Sequence, residues 1–187
     1  MRAKALMDSW KHHHPEWEYV LWTPTKIYRD LIEAGQFSAL SEYLGYMQRG
    51  QLEHARAVVT YEILWFQGGL VIAPDMECFR PIDDLVGDHS TIAHRGPYDP
   101  LVLEDSILGA EKESELADRV RWRIPFYVTR YGEKEYFPVC GPGMLTEVWS
   151  GLSSVQILKK AQVCPYRDSP LTIPPQTYAV KRWHEHL

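Results

Sequence analysis

The sequence contains little cysteine, and no two cysteines are close together. The three cysteines, Cys78, Cys140 and Cys164, are far apart and odd in number. They include no Cys-x-x-Cys pair and are odd in number, so neither a zinc site nor a disulfide framework is indicated. Reduced thiols are typical of the cytoplasm, so we expect a cytoplasmic protein.

Long apolar runs and an excess of positive charge are also missing. No apolar stretch approaches the roughly 20 residues that a membrane-spanning helix needs, and residues 1–10 lack the apolar core of a signal peptide. The 20 Lys and Arg residues are outnumbered by 25 Asp and Glu, which gives a net charge of -5. We therefore expect no membrane span and no nucleic-acid partner.

The remaining composition is that of an ordinary globular domain. The 187 residues are 45% hydrophobic and 24% charged, which fits one domain over residues 1–187. Seven Trp and eleven Tyr residues are present; most are explained by core packing, although such rings also stack on sugars. Predicted helices and strands alternate along the chain, which indicates the α/β class.

Several elements can be predicted from local patterns. Aromatic and aliphatic residues predict strands at 18–22, 126–130 and 135–139. Periodicity predicts helices at 28–34 and 144–152, and one helix within 101–120. The three adjacent histidines, His12 to His14, predict a solvated loop rather than a metal site, because consecutive residues do not share one face.

The most informative segment is residues 54–77. Ala55, Val59, Ile63 and Phe66 recur at helical spacing, and Gly68-Gly69 predicts the helix end. The apolar residues 70–72 then predict a buried, central strand. Residues 73–77 follow its carboxyl end, which is where ligands bind in open α/β sheets.

Four stretches in order resemble a known family. They are the helix–Gly-Gly–strand–Asp segment at 64–77, the Ser-Trp to Leu-Trp segment at 9–22, Asp105 to Ala110, and Gly141 to Thr146. Together they resemble the glycosyltransferases with a DXD sugar-binding motif. These include Och-type mannosyltransferases, capsular polysaccharide transferases and the catalytic domains of large clostridial toxins. The resemblance covers nearly the whole chain.

The resemblance implies both a fold and a function. The implied fold is GT-A-like, a Rossmann-like mixed sheet flanked by helices. The implied function, in polysaccharide biosynthesis, is transfer of a hexose from a nucleotide-sugar donor to a saccharide or other hydroxyl acceptor. In the family, carboxylates at the strand end bind sugar hydroxyls and a divalent cation, Mn²⁺ or Mg²⁺, which neutralises the diphosphate.

The sequence departs from the family at positions that carry this chemistry. Ala73 stands at the first DXD aspartate, and Asp75 keeps the second. Ala57 and Thr60 replace the Asp and Arg of the helix, and Lys181 replaces a histidine. These substitutions make the motif degenerate. The resemblance also implies a first strand before the Ser-Trp segment, which builds part of the nucleotide pocket. It is missing here, so we expect either a short gene or a fragment of a longer chain.

The remaining candidates follow from these positions. For a divalent cation, Asp75 is expected as the main ligand and Glu77 as the second. Asp105 stands where the family has an asparagine, and it either orients or deprotonates the acceptor hydroxyl or caps a helix that starts at Ser106 or Ile107. A last group of residues is expected at the diphosphate, with surface charge as the alternative for the cations: Arg56, Thr60, Lys181 and Arg182.

Three functions remain open at this point. The first is an active transferase with altered ligand contacts, in which fixed cations replace the metal. The second is a catalytically degenerate relative that binds a saccharide or a protein partner through the old cleft. The third is a cleft inherited with the fold and without a function of its own.

Overall fold

A computed structural model describes residues 2–87, 91–95, 99, 101–152, 156–159, 162–163 and 175–182. Cys164 lies outside this described part. The helices are α1 Arg2–His13, α2 Pro24–Ile27, a π-helix Tyr28–Ile32, α3 Leu40–Gln48, α4 Leu52–Phe66, α5 Asp83–Val86, α6 Glu115–Tyr131, α7 Tyr136–Val139 and α8 Pro142–Trp149. The strands are β1 Gly69–Ile72, β2 Met76–Cys78, β3 Thr91–Arg95, β4 Leu103–Ala110, β5 Gln156–Leu158 and β6 Ala179–Lys181.

Two sheets organise the described residues. The larger sheet has the strand order β1-β4-β3-β5. Its strands pair antiparallel except for β3 and β5, which run parallel, so the sheet is mixed. The smaller sheet pairs β2 with β6 antiparallel. The prediction of an α/β fold with a mixed sheet flanked by helices is confirmed.

The larger sheet separates two hydrophobic cores. Neighbouring residues of β3 belong to different cores, since Ala93 packs in one and Ile92 in the other, as the alternation of a strand requires. The first core contains the buried faces of α3, α4, α6 and α8. The second contains Trp10 of α1 together with residues of β2, α5 and β6. The candidate residues are therefore divided between two faces of one sheet.

The helix–glycine–strand unit has the predicted form. Helix α4 buries residues on nearly all sides, and Gly68 and Gly69 follow with φ angles of +72° and +96°. A Cβ atom at Gly68 would lie 2.6 Å from the backbone N of Lys112, so only glycine fits. The expected buried, central position of β1 is wrong, because its residues are exposed or half-buried and β1 is the outer strand of the sheet within the described residues.

The region from 101 to 139 differs from the prediction. Residues 103–110 form β4, and α6 begins only after Ser114, whose hydroxyl accepts a hydrogen bond from the N of Ala117. The strands predicted at 126–130 and 135–139 are helical instead. Their aromatic and β-branched residues favour strands locally, but Leu116, Val120 and Ile124 give α6 a buried face at helical spacing, and this packing overrides propensity.

The N-terminal histidines and the segment after them also differ. His12 and His13 end α1, and His14 is buried. The N–H of Ile82 donates to Nε2 of His14 at 2.9 Å, so Nδ1 carries the proton and donates to Trp10 O at 3.0 Å. The predicted strand at 18–22 does not form.

No helix in the described part of the chain is long and apolar enough to cross a membrane.

Candidate functional site

The segment after β1 packs directly against the middle of β4. The N–H of Ala73 donates to Ser106 O at 2.8 Å, and the N–H of Met76 donates to Ala73 O at 3.0 Å. Asp75 therefore lies in a turn just past the end of β1. This contact brings together two of the stretches that resemble the family, residues 64–77 and 105–110.

Helix α1 holds this turn from the other side. The indole N–H of Trp10 donates to Met76 O at 2.9 Å, and the hydroxyl of Ser9 accepts from the N–H of Cys78 at 2.9 Å. Ser9 and Trp10 thus hydrogen-bond to the backbone of β2. These bonds hold in place the segment that contains Asp75 and Glu77.

Asp105 is the centre of a buried polar cluster. Nη2 of Arg56 lies 2.9 Å from Oδ2 of Asp105, and the hydroxyl of Tyr136 donates to the same oxygen. Nη2 of Arg56 also donates to the Tyr136 oxygen at 3.1 Å. The side chain of Asp105 is only 4% exposed. It lies in β4, so the alternative that it caps a helix is wrong.

The charges in this cluster depend on one another. Burial works against the charged form of Arg56, but the Asp105 carboxylate and its hydrogen bond keep the pKa of Arg56 above its ordinary value. Burial and then the charge of Asp105 raise the pKa of Tyr136 well above its ordinary range. Tyr136 therefore stays protonated and acts as a hydrogen-bond donor to Asp105 at physiological pH.

A second polar pair, which sequence reasoning missed, lies on β3 and β4. Nε2 of His94 and the hydroxyl of Ser106 are 2.7 Å apart, and both side chains are buried. Burial, aided by the charge of Lys181 and opposed by the hydrogen bond with the Arg95 carbonyl, lowers the pKa of His94 to about 4. Nothing in the local sequence marks His94, because its partner is 12 positions away and depends on the sheet register.

The small sheet gathers four of the predicted residues. The N–H of Arg182 donates to Asp75 O at 2.8 Å, and Nε of Arg182 lies 2.5 Å from Oε2 of Glu77. Lys181 pairs with Met76 in the β2–β6 register. Burial raises the pKa of Glu104, and the nearby charge of Lys181 opposes that rise. Lys181 is therefore close to both Glu104 and His94.

The predicted cations approach β4 from different faces. Arg56 contacts Asp105, whereas Lys181 is close to Glu104, and adjacent strand residues point to opposite faces. Thr60 lies one helical turn after Arg56, and it is only 2% exposed. The structure thus brings Arg56 to Asp105, brings Lys181 and Arg182 to Asp75 and Glu77, and leaves Thr60 within the packed side of α4.

The described residues do not fit a dedicated metal site. No group of three or more His, Cys, Asp and Glu side chains able to hold an ion is found among them. The carboxylate of Glu77 is engaged by Arg182, so Asp75 would be the main protein ligand. A divalent cation that binds together with a diphosphate needs only one or two protein carboxylates, because phosphate and water oxygens supply its other ligands. Asp75 would therefore suffice only for an ion that a diphosphate also holds, and we assign the roles below to the protein's own residues.

Comparison with known proteins agrees with this fold. No protein-family model matches the chain. Inositol phosphoceramide mannosyltransferase 3 of Schizosaccharomyces pombe is 28% identical over 143 residues, which cover 73% of this chain and 37% of that protein. The PaToxG glycosyltransferase matches in fold, with a TM-score of 0.53 at 14% identity, over 66% of this chain and 42% of that chain.

These likenesses support a relationship to glycosyltransferases. The sequence is similar to that of a mannosyltransferase, and the fold is similar to that of a glycosyltransferase. The chain spans roughly two fifths of the length of each.

Proposed function

We propose that this chain transfers a hexose from a nucleotide-sugar donor to a hydroxyl group of a saccharide or other acceptor. The observation that carries the proposal is the sequence similarity to a mannosyltransferase across 73% of the chain. The structural match to a glycosyltransferase supports it independently. Because the curated relative is a mannosyltransferase, a mannosyl donor is the first choice for testing.

The donor diphosphate would bind beside β6. Lys181 and Arg182 follow one another there, near the turn that carries Asp75. Fixed cations stabilise the charge that develops on a leaving diphosphate without having to reorganise. Arg182 already pairs with Glu77, so part of its charge is balanced before a donor binds.

Asp105 faces α4, whereas Lys181 approaches the other face of β4, so Asp105 would act on the acceptor only if the donor sugar extends past the strand to the α4 side. Arg56 and Tyr136 both contact its Oδ2 atom, so Oδ1 is the oxygen that would meet an acceptor hydroxyl. A carboxylate in hydrogen-bond reach can orient that hydroxyl or accept its proton. The pairing with Arg56 fixes the orientation of the carboxylate.

A catalytically degenerate relative that binds a saccharide or a protein is the second candidate. Alanine stands at two motif positions, and both Ala57 and Ala73 are buried. The charge of Asp105 is already balanced by Arg56, as expected for a carboxylate with a structural role. This candidate predicts sugar or protein binding without turnover.

Donor binding separates these candidates. Calorimetric titration with GDP-mannose and UDP-glucose, each with and without MnCl₂, would compare the wild type with Lys181→Gln. Lys112→Gln is the matched control, because Lys112 is an exposed lysine in the turn after β4. We expect Lys181→Gln to weaken donor binding about tenfold or more, as for loss of one charge-assisted contact, and Lys112→Gln to change nothing.

Two results would contradict the proposal. One is that no nucleotide sugar binds in either metal condition. The other is that the Lys181 and Lys112 variants bind a donor equally well. Binding of free saccharides in the absence of any donor binding would favour the second candidate.

A further inference from the structure

One face of α6 exposes two large aromatic side chains. Leu116, Val120 and Ile124 are buried in the first core, whereas Trp122 is 62% exposed and Phe126 is 61% exposed. The two aromatic residues are four positions apart, so their side chains are neighbours on the helix surface. Exposed aromatic side chains of this size, placed side by side, are typical of interaction surfaces.

Positive charge lies on the same face. At about 100° per residue, Arg119, Arg123 and Arg130 fall within the quarter-turn or so that contains Trp122 and Phe126. The chain as a whole carries a net charge of -5, so this face is positive against an acidic background. Two acidic residues also lie on this side: Glu115 pairs with Arg119, and Asp118 accepts a hydrogen bond from the indole of Trp122. The three arginines outnumber them, so the face keeps a net positive charge.

We propose that this face of α6 docks on an anionic membrane surface. Trp and Phe side chains favour the boundary between headgroups and acyl chains, and guanidinium groups form paired hydrogen bonds with lipid phosphates. The side of a helix is convex. A convex surface suits a broad lipid surface better than it suits a peptide, which usually binds in a groove. This docking would place the proposed transfer reaction at a membrane surface. The docking itself does not depend on that reaction.

Vesicle co-sedimentation tests the aromatic part of the face. Vesicles of phosphatidylcholine alone would be compared with vesicles that also contain phosphatidylserine. We expect the wild type to sediment with the anionic vesicles and to dissociate as salt is raised, because the attraction is screened. The double variant Trp122→Ser, Phe126→Ser should partition into the vesicles about tenfold less, because it loses most of the apolar area that the membrane would bury.

Matched variants control for this change. Leu44 and Met47 on α3 are also exposed, at 45% and 37%, and Leu44→Ser, Met47→Ser should sediment as the wild type does. Arg119→Gln, Arg123→Gln, Arg130→Gln should abolish the preference for anionic vesicles. Lys4→Gln, Lys11→Gln, Arg29→Gln removes the same total charge elsewhere and should leave the preference intact. Circular dichroism would establish that each variant is folded.

Several results would overturn the proposal. The wild type could fail to sediment with anionic vesicles at low salt, or the α6 variants could sediment as well as their controls. Self-association that is lost in Trp122→Ser, Phe126→Ser, without vesicle binding by the wild type, would show that the face contacts a second copy of the chain instead.

Discussion

Nη2 of Arg56 on α4 lies 2.9 Å from Oδ2 of Asp105 on β4, so two residues 49 positions apart share one ion pair, in which Asp105 is buried and Arg56 is partly exposed. Tyr136 donates to the same oxygen and adds α7 to the contact. A single carboxylate oxygen therefore joins a helix, a strand and a short helix. In the proposed reaction this carboxylate would orient or deprotonate the acceptor hydroxyl.

Removal of Arg56 should leave a buried carboxylate without its partner. We expect Arg56→Met to lower the free energy of unfolding by about 2–4 kcal/mol, since breaking a buried pair is costly. Arg56→Met combined with Asp105→Leu should recover part of the loss, because no charge is then stranded. Urea denaturation measures these values. Arg29→Gln breaks an exposed pair with Asp30 and should cost at most about 1 kcal/mol; equal losses in the two single variants would contradict the role of the buried pair.

His94 should make stability depend on pH. Its folded pKa is about 4 against an ordinary value of 6.5, because burial disfavours the charged ring. The unfolded chain therefore binds a proton that the folded chain refuses, so stability is constant above about pH 6.5 and falls as the pH drops towards 4. The loss is about 3 kcal/mol at most.

Thermal melts of wild type and His94→Gln between pH 7 and pH 4 measure the contribution of His94 to this pH dependence. The stability advantage of the wild type over His94→Gln should become smaller as the pH falls. Burial raises the pKa of Glu104 and Glu62 in the folded state, so these two residues make the protein more stable as the pH falls. This opposite effect is the same in wild type and in His94→Gln. His13→Gln is the control and should keep most of the wild-type dependence. A constant difference between wild type and His94→Gln would contradict the prediction.

Gly68 and Gly69 should respond differently to alanine. Both have positive φ angles, so each alanine is strained by about 1 kcal/mol. A Cβ at Gly68 also meets the backbone N of Lys112 at 2.6 Å, whereas at Gly69 nothing lies within 4 Å. We expect Gly68→Ala to be less stable than Gly69→Ala by about 1–3 kcal/mol in urea denaturation. Equal stabilities would show that the turn after α4 relaxes freely.

Introducing at position 60 the helix arginine of the DXD glycosyltransferases should damage the fold. Thr60 stands at that position but is only 2% exposed. Thr60→Arg would therefore bury a charge in a core that is packed around a threonine. We expect a loss of about 3 kcal/mol or more, whereas Thr60→Val keeps the volume and should cost much less. Urea denaturation compares the two variants. A stable Thr60→Arg protein with stronger donor binding would contradict the packing argument and favour simple loss of a contact residue.

Local patterns were enough to predict the part of the fold that carries Asp75. Helix α4, the two glycines and the strand after them are encoded within about 20 consecutive residues. The order of helix, turn and strand therefore follows from periodicity and from the backbone freedom of glycine. The outer position of β1 could not be predicted, because it depends on the order in which distant strands pair.

Contacts between distant segments explain the remaining differences. The hydrogen bond between His94 and Ser106 needs the irregular β3–β4 register, in which Ile92 faces Gly109 while His94 faces Glu104. Asp105 was compatible with a helix cap in sequence, and only the pairing of β4 with both β1 and β3 places it in a sheet. Residues 126–130 favour a strand locally, but packing against α4 makes them helical.

The most direct test of the proposed function is release of free hexose from a nucleotide sugar. Wild type, Asp105→Asn and the control Asp84→Asn, which changes an exposed aspartate, would be incubated with GDP-mannose and UDP-glucose with and without Mn²⁺. We predict slow release by wild type and Asp84→Asn, and a reduction of about 10²-fold or more in folded Asp105→Asn. The absence of release from every donor in both metal conditions would contradict the proposal, and full activity of folded Asp105→Asn would leave Asp105 with a structural role alone.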